Sequence, residues 1–159
     1  NMSVEKVREY LKEFHKDQDI QVLSESSATV ELAAKAVGVE PARIAKTLSF
    51  CGKEEGTCVL VVTAGDQKVD NSKFKHFFGM KAKMPKGDEV EKLTGHAPGG
   101  VCPFANPPHT AVYLDTSMKR FDTVFPAAGS GNSAVEMTCD ELFACSGARE
   151  WVDVCKPIQ

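Results

Sequence analysis

Two strand-like runs, Lys46 to Cys51 and Thr57 to Thr63, flank the five-residue segment Gly52-Lys53-Glu54-Glu55-Gly56. A link this short joins antiparallel neighbours, because a parallel crossover needs roughly a dozen residues or more. This hairpin rules out a purely parallel, doubly wound sheet. The other elements are read from spacing and caps. Val4, Val7, Leu11 and Phe14 behind Ser3 predict a helix over 4–16, with Ser3 as its cap. Ile20 and Val22 suggest a short strand. Val30, Ala33, Ala34 and Val37, between Thr29 and Gly38, predict a second helix, and Pro41 opens a short helical turn. Val69, Asp70 and Phe74 form a staple and cap for a helix that starts at Asn71 and ends before Gly79.

Further along, 81–84 reads as a strand and 88–93 as a short helix. Strands are expected over 110–115, 122–126 and 133–137, then a helix to Cys145 behind the Thr138/Glu141 capping box, and a last strand over 151–155. Hairpin links between some strands and helices between others predict one α/β domain of α+β type built on a mixed sheet. At 159 residues the chain can bury a core without disulfide or metal staples. Its six cysteines form no CxxC pair and its four histidines are scattered, so free thiols and no metal are expected. No run approaches the roughly 20 apolar residues of a membrane span, and the first residues carry mixed charge. A soluble, unsecreted, cytoplasmic protein is expected, with Asn1 ahead of Met2 left over from expression.

The formal charge of −3 argues against a protein that grips nucleic acid by bulk charge. Locally, 71–87 holds no acidic residue while carrying Lys73, Lys75, Lys81, Lys83 and Lys86 among Phe74, His76, Phe77 and Phe78. The aromatics read as a core stripe. The lysines read either as a solvated face or as phosphate contacts. Chemistry is expected in the long Gly- and Pro-rich loop over 94–108, where Pro98-Gly99 suits a type II turn and adjacent glycines let a ligand approach main-chain amides. Gly129-Ser130-Gly131-Asn132 is a second such segment. Lys46 and Asp115, at strand ends, are candidates whose plainer reading is a solvated lysine and a turn former. Cys102 is the one thiol inside the long loop.

Together 33–48, 94–104, Val112-Tyr113-Leu114-Asp115, 125–131, Val135-Glu136-Met137 and Asp140-Glu141-Leu142 make the chain similar to the YbaK/EbsC family of aminoacyl-tRNA deacylases, relatives of the editing domain of bacterial prolyl-tRNA synthetase. The resemblance covers about residues 20–145 in order and spacing. It implies a curved, mostly antiparallel, barrel-like sheet with surrounding helices, and hydrolysis in trans of the ester in a misacylated tRNA. It implies no cofactor, and it makes tRNA, together with an aminoacyl-tRNA synthetase, the expected partner. Lys46 aligns with the family's essential lysine. Gly95, His96, Pro98, Cys102 and Pro103 fall in its substrate loop, and Asp115, Gly129, Ser130 and Gly131 on the facing wall. Oxyanion contacts are expected from amides of Gly99, Gly100 and Val101 or of the second glycine segment, with Lys46 holding a phosphate or ribose as a point charge. Lys73, Lys75, Lys81 and Lys83 are the candidate tRNA contacts. The amino acid removed, whether cysteine, alanine, serine or threonine, stays open. The alternative is a binding or regulatory module of the same fold that takes tRNA or a nucleotide without hydrolysis.

Overall fold

The computed structural model describes residues 2–159, and Asn1 lies outside the described residues. In chain order the elements are α1 (Met2–Leu11), β1 (Ile20–Val22), α2 (Val30–Val37), β2 (Ile44–Cys51), β3 (Cys58–Ala64), β4 (Gln67–Val69) and α3 (Asn71–Phe78). Then follow α4 (Val90–Thr94), β5 (Thr110–Asp115), β6 (Thr123–Pro126), β7 (Ser133–Val135), β8 (Met137–Thr138), α5 (Cys139–Ser146), β9 (Trp151–Val152) and β10 (Cys155–Pro157).

The hairpin is the centre of the molecule. β2 and β3 pair antiparallel from Ala45 opposite Ala64 to Cys51 opposite Cys58. β5 adds to β3, and β9 to β5, both parallel. β6 adds to β2 in parallel, and β8 to β6 antiparallel. The result is a curled, mixed half-barrel in the order β8-β6-β2-β3-β5-β9, accompanied by the antiparallel ribbons β1–β7 and β4–β10. All seven residues of β3 are buried because both faces of the sheet are covered. Cys58, Leu60, Val62 and Ala64 meet Val4, Val7 and Leu11 of α1, while Val59 and Val61 meet Phe50, Phe74 and Val154.

The caps act as the spacing indicates. Thr29 accepts from the Leu32 amide, Asp70 from the Lys73 amide, and Thr138 with Glu141 forms a complete capping box. Four readings change. The first helix ends at Leu11 and tightens into a 3-10 turn over Lys12–Phe14, and Ser3 lies inside it, its Oγ 2.6 Å from His96 Nδ1. Segment 81–84 joins no strand ladder among the described residues, although its Lys83 carbonyl accepts from the Cys51 amide. The run 133–137 splits at Glu136, since β7 pairs with β1 and β8 with β6. The run 151–155 splits likewise, and the short strand β4, which its second half pairs with, was absent from the sequence reading. In each run an exposed acid, Glu136 or Asp153, sits where the partner strand changes, and in a strand pattern such a residue reads as an ordinary outward-facing position that carries no partner identity.

Candidate functional site

The site lies where the sheet comes apart. β6 holds β2 only at Ile44 and Ala45, so beyond that point the outer edge of β2 is open until Cys51, whose amide donates to Lys83 O at 2.7 Å. Backbone groups two residues apart on a strand point the same way, so those of Thr47 and Ser49 also face this outer edge. A cleft of about 460 Å³ occupies the opening. Lys46, Thr47 and Leu48 form its floor, Val30 and Ala33 of α2 one side, and Gly99, Val101, Phe125 and Ala134 the rest.

The two glycine segments are pressed together behind the cleft. Gly100 donates its amide to Ala97 O at 3.0 Å and Gly99 has φ +88°, consistent with the type II turn expected at Pro98-Gly99. A methyl group on Gly100 would lie 2.9 Å from Gly129 O, and one on Gly131 3.3 Å from Gly99 O. Gly129 has φ +103°, and a methyl there would meet Ser3 O of α1 at 2.7 Å. The Gly131 carbonyl accepts from both the amide and the hydroxyl of Ser27. These contacts narrow the choice of oxyanion donors. The Gly100 amide is committed to its turn and the Ser130 amide to Ser133 Oγ at 3.1 Å. The amides of Gly99 and Val101, both on the wall, have no acceptor among the described residues.

Lys46 is half-buried opposite Thr63 and makes no ion pair or side-chain hydrogen bond among the described residues. Burial lowers its pKa below the ordinary 10.5, and nearby Cys155, Glu31 and Asp66 pull it back up in part. A desolvated ammonium held in no ion pair in a cleft wall is a receptor for an anion or an electron-rich oxygen.

The remaining candidates brace this wall or lie away from it. His96 is fully buried. Its Nε2 donates to Phe104 O at 2.7 Å, which leaves Nδ1 to accept from Ser3 Oγ. Cys102 is also fully buried, 3.4 Å from His96 Nε2, and burial pushes its thiol up to about 12, so it stays protonated and is no nucleophile. Gly95 ends α4 with its carbonyl bound by Lys6 Nζ; Pro98 is exposed on the turn, and Pro103 is buried. Asp115 does not reach the cleft. Its two carboxylate oxygens accept from the Ser117 and Val154 amides at 3.0 Å each, joining β5 to the turn after it and to the segment after β9. His96, Cys102 and Asp115 were singled out as substrate contacts, and the structure places them in the supporting framework. Thr47, Phe125 and the α2 face are cleft residues that the sequence reading missed, since nothing local announces the split between β2 and β6.

The lysine segment divides. Lys73 Nζ is held by Asp153 Oδ1 at 3.0 Å and Cys155 O at 3.2 Å, which removes it as a free phosphate contact. Lys75 and Lys81 line a shallow depression beside the start of α3, and Lys83 is exposed next to Met84, which reaches the cleft. The aromatic stripe is core only in part: Phe74 is fully buried with the rings of Phe50 and Phe78 tilted against it, Phe78 is partly buried, and His76 and Phe77 are exposed.

His96 makes the framework sensitive to acid. Burial lowers its pKa below the ordinary 6.5, so the unfolded chain takes up its proton first. The associated stability is complete above pH 6.5 and is lost as pH falls through the folded value. Urea unfolding between about pH 7 and pH 5 is expected to show a falling midpoint for the wild type and a flatter profile for His96→Asn. Equal slopes would remove His96 as the source.

The aminoacyl-tRNA editing domain model matches residues 24–145. The chain is 50% identical over 155 residues to the uncharacterized protein YwhH of Bacillus subtilis, covering 98% of each. It is 26% identical over 127 residues to EbsC of Enterococcus faecalis, named as a candidate Cys-tRNA(Pro)/Cys-tRNA(Cys) deacylase, covering 79% of this chain and 77% of that one. A crystal structure described as a candidate trans-editing enzyme for prolyl-tRNA synthetase superposes with a TM-score of 0.87 at 30% identity, covering 98% of both chains.

Proposed function

The chain belongs to the aminoacyl-tRNA editing domain family, and we propose that it is a cytoplasmic, metal-independent deacylase acting in trans on misacylated tRNA. Water adds to the ester carbonyl, the bond to the terminal ribose oxygen breaks, and the free amino acid and tRNA leave. The ester is already activated, so the protein mainly has to hold it and stabilise the charge that develops on the carbonyl oxygen. The observation that carries this reading is the half-buried ammonium of Lys46, which makes no ion pair among the described residues and lines the same cleft as the amides of Gly99 and Val101, themselves without an acceptor among those residues. Lys46 binds the phosphate or ribose of the terminal adenosine, and the two amides receive the oxyanion. A hydroxyl of the substrate positions the water, and no protein nucleophile is needed.

The test is a panel of tRNAs charged with alanine, cysteine, serine, threonine and proline, assayed for ester loss with EDTA present. Turnover of at least one ester is expected. Binding without turnover of any would identify a non-catalytic module, and turnover that vanishes only with EDTA would overturn metal independence.

Lys81 and Lys83 are assigned to the tRNA backbone, with Lys75 beside them. Replacing Lys81 and Lys83 by Gln is expected to raise KM and leave kcat nearly unchanged, because binding is lost equally from ground and transition states. Each lost phosphate contact should flatten the dependence of log affinity on log salt by somewhat under about one unit. An unchanged salt slope would make these lysines a solvated face.

A further inference from the structure

Four hydroxyl-bearing residues line the cleft, and the hydroxyls of three are occupied. Ser27 Oγ donates to Gly131 O, Thr29 Oγ1 caps α2, and Ser133 Oγ accepts from the Ala128 and Ser130 amides. The fourth, Thr47 Oγ1, is buried from solvent and has no hydrogen-bond partner among the described residues. Leaving a buried hydroxyl unpaired is costly, and a site that retains one usually pairs it with something that arrives later.

What arrives can be narrowed by strand geometry. Successive side chains on β2 point to opposite faces, so Thr47 points away from the face of Lys46. Thr47 shares its face with Ala45, while Ala127 and Ala134 complete a lining of methyl groups in the cleft. A phosphate or ribose held by Lys46 therefore lies on one side of the strand. A small group entering beside Thr47 lies on the other. We infer that Thr47 Oγ1 reads the aminoacyl side chain and favours one that carries a hydroxyl, seryl or threonyl, over alanyl. A methyl-lined pocket alone discriminates weakly between near-isosteres, whereas a hydroxyl that must be paired penalises a substrate unable to pair it.

This inference rests on the deacylase reading, and the test separates the two. Seryl and alanyl esters on the same tRNA are compared in single-turnover deacylation by wild type, Thr47→Val and Thr47→Ser. The wild type is expected to prefer the seryl ester. Thr47→Val should lower the seryl rate by about tenfold or more while leaving the alanyl rate within about twofold, and Thr47→Ser should retain the preference. The melting temperature of Thr47→Val should not fall, since the substitution removes an unpaired polar group of the same shape. A fall in Tm would mean that the hydroxyl has a structural role and would overturn the inference. So would equal losses on both esters, which would place the hydroxyl on the shared ribose or α-amino group, or a wild type without seryl preference. In each of these cases the deacylase reading survives. A wild type that hydrolyses neither ester, nor any other of the panel, overturns both.

Discussion

Lys46→Ala is expected to lower deacylation by about a hundredfold or more while leaving the fold intact. The ammonium makes no ion pair or hydrogen bond among the described residues and is half-buried, so removing it breaks no such ion pair and relieves a desolvation cost. Its loss is felt only by what the cleft holds. Lys46→Arg should also be impaired, because the planar guanidinium is longer and carries its charge in a different place. The pH dependence gives a second check. Activity that needs the charged amine should decline with rising pH before the ordinary 10.5 is reached, since burial lowers the pKa. Circular dichroism and thermal melting of Lys46→Ala beside its turnover separate the two effects. Near-normal turnover with tRNA in excess would remove Lys46 from the chemistry, and an unfolded variant would show that the side chain is structural.

Gly129→Ala is the substitution expected to damage the framework most. It combines a backbone at φ +103° with a 2.7 Å approach to the Ser3 carbonyl, and neither a helix backbone nor a glycine loop can yield cheaply. Strain of this kind costs about 1–3 kcal/mol and overpacking a similar amount, so a loss of about 2 kcal/mol is a conservative expectation. That corresponds to roughly 4–8 °C in Tm for a chain of this size. Turnover should fall as well, because Gly129 abuts Gly100 and through it the turn that presents the Gly99 and Val101 amides. Gly99→Ala is the control. It has a similar positive φ, +88°, but open space around the added methyl, so it should show the strain without the collision, about 1 kcal/mol. Equal stability losses in the two variants would rule out the contact with α1 as the cause.

Local chemistry was readable where a residue acts on its own neighbours. Thr29, Asp70 and the Thr138/Glu141 box cap the helices they precede, Pro98-Gly99 makes its turn, and the Gly52 to Gly56 link makes its hairpin, all because the partner lies within a few residues. Lys46 and the glycine loop were identifiable because the resemblance to the deacylase family rests on their order and spacing. Placement depended on distant chain segments. Whether Asp115 faces a ligand or braces β5 depends on Val154, 39 residues away, and the partner of the His96 Nδ1 is Ser3, 93 residues away. The run 133–137 is one strand by pattern and two by partner. The cleft itself exists because β6 releases β2 after Ala45, and Thr47, whose buried hydroxyl has no partner among the described residues, lines it. The sequence by itself determined the central hairpin, most of the helices with the Thr29, Asp70 and Thr138 caps, and the family's signature residues, since these follow from short-range sterics and side-chain chemistry. Only the tertiary structure decided which of those residues meet the cleft, because pairing between distant strands sets which backbone edges and side chains remain without a partner.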